Sequence, residues 1–121
     1  MSAEAWIGVA LLGGIGSIAR FLLDDAVSSR GSWSFPVGTL AVNASGALVL
    51  GLLTGFALSG EALVLAGTAT IGSYTTFSTW MLETHRLGED GQSRGAALNV
   101  IVSLLVGLGA ALLGKWLGGV L

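Results

Sequence analysis

The chain has 121 residues, of which 53% are hydrophobic and only 10% charged, whereas ordinary soluble domains carry about 25% charged residues. Its mean hydropathy is +0.84 and its formal net charge is −2, so it offers no basic patch for nucleic acid. Cysteine is absent, which excludes disulfides and thiolate metal sites.

The charges cluster, and four apolar stretches lie between them: Ala5 to Leu23, Val37 to Ser59, Ala62 to Leu82, and Gly95 to Gly114. Each is close to the roughly 20 residues that a membrane-spanning helix needs. None shows the polar face of a soluble amphipathic helix. The expectation is a single all-α integral membrane domain over 1–121, with helices at about 3–23, 36–58, 62–84 and 95–118.

In the first stretch, Glu4 stands where a secretory leader would carry basic residues, so a mature helix is expected there. Arg20 is the one charge well inside an apolar stretch. An intramembrane arginine is paired, faces water, or snorkels to the surface. Gly14-x-Gly16-x-x-Ala19 matches a dinucleotide fingerprint, but the preceding strand and the acid about 20 positions later are both missing. Asp24 and Asp25 are expected to open a polar loop, and Trp33 and Phe35 to mark return at the membrane interface. Pro36 suits the first turn of the second helix.

Within that helix, Thr39 and Asn43 share a face at a spacing of four. An asparagine amide there makes an interhelical hydrogen bond or donates to a passing anion, and both readings are open. Gly51-x-x-x-Gly55 is a close-packing face, within one subunit or between two. Ser59-Gly60-Glu61 is a tight connection, so the second and third helices are expected to be antiparallel neighbours.

The third stretch carries the most information. It is uncharged from Ala62 to Leu82, yet its centre reads Gly72-Ser73-Tyr74-Thr75-Thr76-Phe77-Ser78-Thr79-Trp80. Polar, irregular backbone at membrane depth persists only where protein or a water-filled path covers it. A spanning helix broken at its middle is one way to build an ion site. The break is expected near 72–75. Hydroxyls such as Ser78 and Thr79 bind anions through O–H, and Phe77 and Trp80 present electropositive ring edges. His85 reads as an exposed interfacial residue at the start of a polar loop to Arg94. In the fourth helix Asn99, Ser103 and Gly107 continue one polar stripe, and Lys115 reaches the surface. Both termini are expected on the same side. Four such helices make too thin a bundle to enclose a wide pore, so a polar path is more easily built between two copies.

Taken together, Gly13-Gly14-x-Gly16-x-x-x-Arg20, Phe35-Pro36-x-Gly38-Thr39-Leu40-x-x-Asn43-x-x-Gly46 and Gly72-x-Tyr74-Thr75-Thr76-Phe77-Ser78-Thr79 closely resemble the Fluc (CrcB) fluoride channel family, over essentially the whole chain. The resemblance implies four transmembrane helices per subunit with the third broken, paired as an antiparallel dual-topology dimer in the plasma membrane. It implies two fluoride pores and one structural sodium ion. By resemblance, Asn43 is the pore asparagine, Phe77 and Trp80 hold the positions of two pore phenylalanines, and Ser103 matches a pore serine. Gly72 and Thr75 match the positions whose backbone carbonyls bind sodium, and Thr39 and Glu83 match a polar track. The chain departs from the pattern at Trp80, and at Asn99, where the family often has tyrosine.

The expected activity is passive, fluoride-selective conduction that exports fluoride, with a second copy and the lipid bilayer as partners. No ATP motif and no acid at mid-membrane is present. A small dual-topology multidrug exporter is the alternative of similar length, but it depends on a carboxylate inside its first helix, and here Glu4, Glu61 and Glu83 stand at helix ends. A membrane scaffold is a third reading, and it needs no polar stripe. Arg30, Arg86 and Arg94 lie in the loops after the first and third helices. By the positive-inside rule this bias favours one orientation, which leaves room for an oppositely oriented homologue as the partner.

Overall fold

The computed structural model describes residues 1–121, and every regular element is helical. Helix α1 spans Ala3–Ser28. Ser2 caps it by accepting the Ala5 N–H at 3.1 Å, which satisfies one of the orphan donors of a helix start. The helix runs beyond Leu23, through the residues from which the sequence reading opened a loop. Asp24 and Asp25 do not break it, because Ser28 Oγ donates to Asp24 Oδ1 one turn back (3.0 Å) and the next glycine after them is Gly31.

Helix α2 (Val37–Gly55) begins directly after Pro36, whose φ is −77°. It stops short of the expected Leu58. Leu58 N–H reaches back to Leu53 O at 3.1 Å, a closure that forces Ala57 into the left-handed region at φ 58°.

The third apolar stretch is divided. Helix α3 (Gly60–Leu63) leads into a π-helical segment (Val64–Ile71), and then into α4 (Gly72–Tyr74). Thr70 Oγ1 donates to Leu65 O five residues back (2.7 Å), in step with the wider π register. Helical bonding stops at Thr75, which is extended with ψ 160°, and resumes in α5 (Ser78–Glu89). Helix α5 occupies most of the segment from His85 that the sequence suggested as loop. The turn is confined to Asp90–Gln92, where Gly91 takes φ 76° and Gln92 N–H closes on Leu87 O at 2.8 Å. Helix α6 spans Ser93–Val120. Helices α1, α2 and α6 are each long and apolar enough to cross a membrane.

Glycine decides how these helices meet. A Cβ on Gly51 would strike Ala111 O, and one on Gly114 would strike Leu48 O. Gly55 and Gly118 approach in the same way one turn on. The Gly51-x-x-x-Gly55 face is therefore used inside the subunit, against Gly114-x-x-x-Gly118 of α6. Gly16 of α1 and Gly46 of α2 open the space for the interrupted stretch, Gly16 against Thr70 O and Gly46 against the Thr75 methyl group and the Tyr74 ring.

Ser2 N–H donates to Glu61 Oε1 (3.4 Å) and Gly55 meets Gly118, so both termini share an end with the α2–α3 turn. Only 14 of 121 residues are buried, and long apolar side chains such as Leu11, Ile18, Leu22, Leu104, Leu105 and Leu112 are exposed on α1 and α6.

Two substitutions test this packing. Gly114→Leu is expected to prevent α2 and α6 from closing and to abolish recovery of monodisperse protein in detergent. Ala57→Gly relieves a left-handed alanine and is expected to stabilise the fold by about 1 kcal/mol, read as a higher midpoint of thermal unfolding.

Candidate functional site

The interruption at 75–77 is held by one side chain. Asn43 of α2 accepts the Thr76 N–H on Oδ1 (2.8 Å) and donates from Nδ2 to Thr76 O (2.9 Å). The amide thus pairs with a peptide unit much as a neighbouring strand would. Of the two readings left open by the sequence, the interhelical bond is present, and it uses one of the two Nδ2 hydrogens. Thr76 Oγ1 accepts the Thr79 N–H at 3.2 Å and so caps the start of α5. Thr75 Oγ1 donates to Ile71 O (3.1 Å) and closes the other side.

This arrangement leaves backbone oxygens free. With Thr76 N–H turned to Asn43, nothing in the chain donates to Gly72 O, and Thr75 O likewise accepts no hydrogen bond. Gly72 and Thr75 both line an open groove of about 440 Å³, together with Asn43, Thr76, Phe77 and Trp80. Both unspent oxygens thus belong to residues of one opening. Acidic and imidazole side chains form no cluster that would hold a transition metal.

Phe77 is 70% exposed. Its ring meets that of Trp80 edge-to-face, with centroids 5.7 Å apart and planes at 84°, the arrangement that aromatic quadrupoles favour. Trp80 is tied in turn to α6. Its Nε1–H donates to Asn99 O (3.1 Å), and Asn99 Nδ2 donates to Thr84 Oγ1 (2.8 Å). Ser103 Oγ extends the chain towards Asn99 Oδ1 at 3.4 Å.

The remaining sequence candidates fall beside the groove. Arg20, Thr39 and Thr79 line a smaller cavity of about 230 Å³ with Asp24, and Thr76 forms part of both walls. Glu83 lines a third, more polar cavity of about 610 Å³ at the end of the α1–α2 loop, with Arg86, Asp90 and Gln92. Thr39 Oγ1 and Glu83 Oε1 are buried without a hydrogen bond of good geometry, and the Thr39 hydroxyl is near the Glu83 carboxylate. Orphans of this kind mark a place for water or an ion. Ser78 is exposed and touches Thr76 Oγ1 at 3.4 Å. Asn43, Phe77, Trp80, Gly72 and Thr75 therefore meet in one groove, while Arg20, Thr39 and Thr79 meet next door, with Glu83 reaching Thr39 from the polar cavity.

Sequence reasoning did not single out Thr76 or Thr84. The signal for Thr76 was present in Thr76-x-x-Thr79, a hydroxyl three residues before a helical N–H. For Thr84, the spacing of four from Trp80 was readable, but its partner on α6 was not.

A long-helix bundle with glycine seams and a polar, interrupted element defines a helical membrane protein with a site inside its apolar layer. The model of the CrcB-like protein, Camphor Resistance (CrcB) family matches residues 7–115. The chain is 60% identical over 116 residues to "Fluoride-specific ion channel FluC 2" of Mycolicibacterium paratuberculosis, covering 96% of this chain and 95% of that one. It is 56% identical over 117 residues to the protein of the same name in Mycobacterium tuberculosis, covering 97% and 93%. It is 41% identical over 120 residues to "Fluoride-specific ion channel FluC 1" of Symbiobacterium thermophilum, covering 94% and 97%. The chain belongs to the CrcB family.

Asn43→Ala would leave both polar groups of the Thr76 peptide unpaired. A loss of about 1–3 kcal/mol is expected, read as a lower unfolding midpoint. Thr76→Val, which removes the cap on α5, is expected to cost about 1 kcal/mol.

Proposed function

We propose that this chain is one subunit of a fluoride-selective channel that releases fluoride passively across the plasma membrane. The observation that carries this reading is the groove at the helix interruption, whose donors are an asparagine amide and aromatic ring edges, in a chain 60% identical to a fluoride-specific channel.

Fluoride is small and strongly hydrated, so a pore must replace its water with other donors. Asn43 has one amide hydrogen left after clamping Thr76. The edges of Phe77 and Trp80 carry partial positive charge. Thr79 and Ser103 add hydroxyls, and Thr39 supplies a buried hydroxyl beside Glu83. Neutral donors bind an anion and release it, as conduction requires. In this reading four helices span the membrane, and the third is the interrupted stretch from α3 through α5.

The open groove and the exposed faces of α1 and α6 support pairing with a second copy in antiparallel orientation. Gly72 O and Thr75 O, unspent within the chain, would then hold one sodium ion between two subunits. Such an ion would join the subunits and favour anions nearby, by about 1–2 kcal/mol for unit charges 10 Å apart at an effective dielectric near 20. The charge distribution also supports a second form of the assembly. Arg30, Arg86 and Arg94 lie at the end opposite both termini, and the termini end offers Lys115 and the N-terminal amine. That bias favours a single orientation and hence pairing with an oppositely oriented homologue.

Purified protein in liposomes is expected to release fluoride under an electrical gradient and to retain chloride. Chloride release at a similar rate, or proton-coupled drug uptake, would remove the reading. Phe77→Ile is expected to lower fluoride release by about tenfold, equivalent to about 1.4 kcal/mol, with assembly intact. Exchange of all sodium for N-methylglucamine should lower both assembly stability and fluoride release. Cysteines at Ser59 and Gln92 report orientation: labelling of each from both faces of the membrane supports the antiparallel homodimer, and labelling of each from one face supports the oppositely oriented homologue.

A further inference from the structure

Trp80, Asn99 and Thr84 close a ring of hydrogen bonds across α5 and α6. Trp80 Nε1–H donates to the main-chain oxygen of Asn99 (3.1 Å), Asn99 Nδ2 donates to Thr84 Oγ1 (2.8 Å), and Thr84 Oγ1 donates to the main-chain oxygen of Trp80 (2.9 Å). Asn99 is 1% exposed and is among the most deeply buried side chains of the chain. A direct contact of Asn99 Nδ2 with Trp80 O, at 3.5 Å, is too long to hold the ring by itself. Thr84 is therefore the link through which the amide acts.

Among the Phe, Tyr and Trp rings, only the indole carries an N–H donor. Trp80 lines the same groove as Phe77 and Asn43. An indole N–H turned into that groove would be a far stronger donor to an anion than a ring C–H edge. Here that hydrogen is spent on Asn99 O, and the ring stands edge-to-face against Phe77 at 84°. Thr84 sits one helical turn beyond Trp80, so the Asn99 amide grips α5 at Thr84 while the indole grips α6 at Asn99. The two attachments fix the register of the helices and hence the place of the ring.

We infer that Asn99 and Thr84 are positioning residues that hold the Trp80 N–H away from the ion path, so that fluoride meets ring edges there and does not lodge on an indole donor. This rests on the reading of the groove as the fluoride path. Trp80 of α5 and Asn99 of α6 are thus joined in one device.

The test uses the full-length protein with nitrogen-15 tryptophan, in detergent and in liposomes. In the wild type, the Trp80 indole N–H should exchange with solvent at least about tenfold more slowly than that of loop residue Trp33, in line with a bond worth about 1.4 kcal/mol. Sodium fluoride should leave its resonance unmoved. In Asn99→Leu, or in Thr84→Val should the former fail to assemble, protection should be lost and fluoride should shift the resonance.

Fluoride release should fall about tenfold in Asn99→Leu but by less than about twofold when the same change is made in the Trp80→Phe background, a departure from additivity diagnostic of direct coupling. Equal losses in the two backgrounds, rapid exchange of the wild-type indole, or a fluoride-dependent shift of that resonance in the wild type overturns the inference. Failure of the channel reading shows separately, as wild-type liposomes that release no fluoride, while indole exchange still decides whether the hydrogen-bonded ring exists.

Discussion

Everything at this site depends on one pairing, that of the Asn43 amide with the Thr76 peptide. A chain that abandons helical bonding inside an apolar layer must find partners for the peptide groups it releases. Water is the usual partner in a soluble protein and is scarce at this depth. Asn43 supplies both an acceptor and a donor from one side chain, at 2.8 and 2.9 Å. Because the amide is fixed on α2, the peptide is fixed with it, and α5 sets off from a defined point. The orientation of Phe77 and Trp80 follows from there. Gly46, one turn after Asn43 less one residue, is what lets Thr75 and Tyr74 approach α2 closely enough for the pairing to form.

The same pairing has a second consequence. The Thr76 N–H, in a continuous helix, would bond to Gly72 O. Turned to Asn43, it leaves that oxygen free, and the extended Thr75 leaves its own oxygen free as well. One asparagine therefore both places the aromatic pair and leaves two carbonyl oxygens unspent, on residues that line a single groove. The two features are products of one local rearrangement, and neither requires a charged side chain.

Much of this was legible in the residues. Apolar length and the clustering of charge marked the long helices, and the density of glycine and hydroxyls marked the third stretch as irregular. The position of the interruption was less legible. Glycine suggested Gly72, yet α4 continues to Tyr74 because a glycine tolerates helix when no competing partner is present. The competing partner is Asn43, 33 positions away, and no local pattern reports it. Helix ends were misjudged for a related reason. Asp24, Asp25 and the polar run after His85 suggest loop by polarity, but a helix that leaves an apolar layer has no physical cause to stop there. Helix α5 ends where left-handed backbone is supplied, at Gly91. The seam of α2 against α6 could be read as a close-packing face from Gly51-x-x-x-Gly55, although only the fold assigns it to the interior of the subunit.

The placement of Arg20 fits a site that must release its ion. A guanidinium in the groove would be a fixed positive charge in poor solvent, and an anion beside it would be strongly held. Arg20 instead lines the neighbouring cavity, as does Asp24, and Thr76 stands as the shared wall between the two spaces. The groove keeps only donors of modest strength, among which the indole N–H would be the exception were it not bound to Asn99. The proposed path thus keeps the strong charge apart from the weak donors, across backbone that Asn43 holds in place, a separation that suits an anion that must enter and leave.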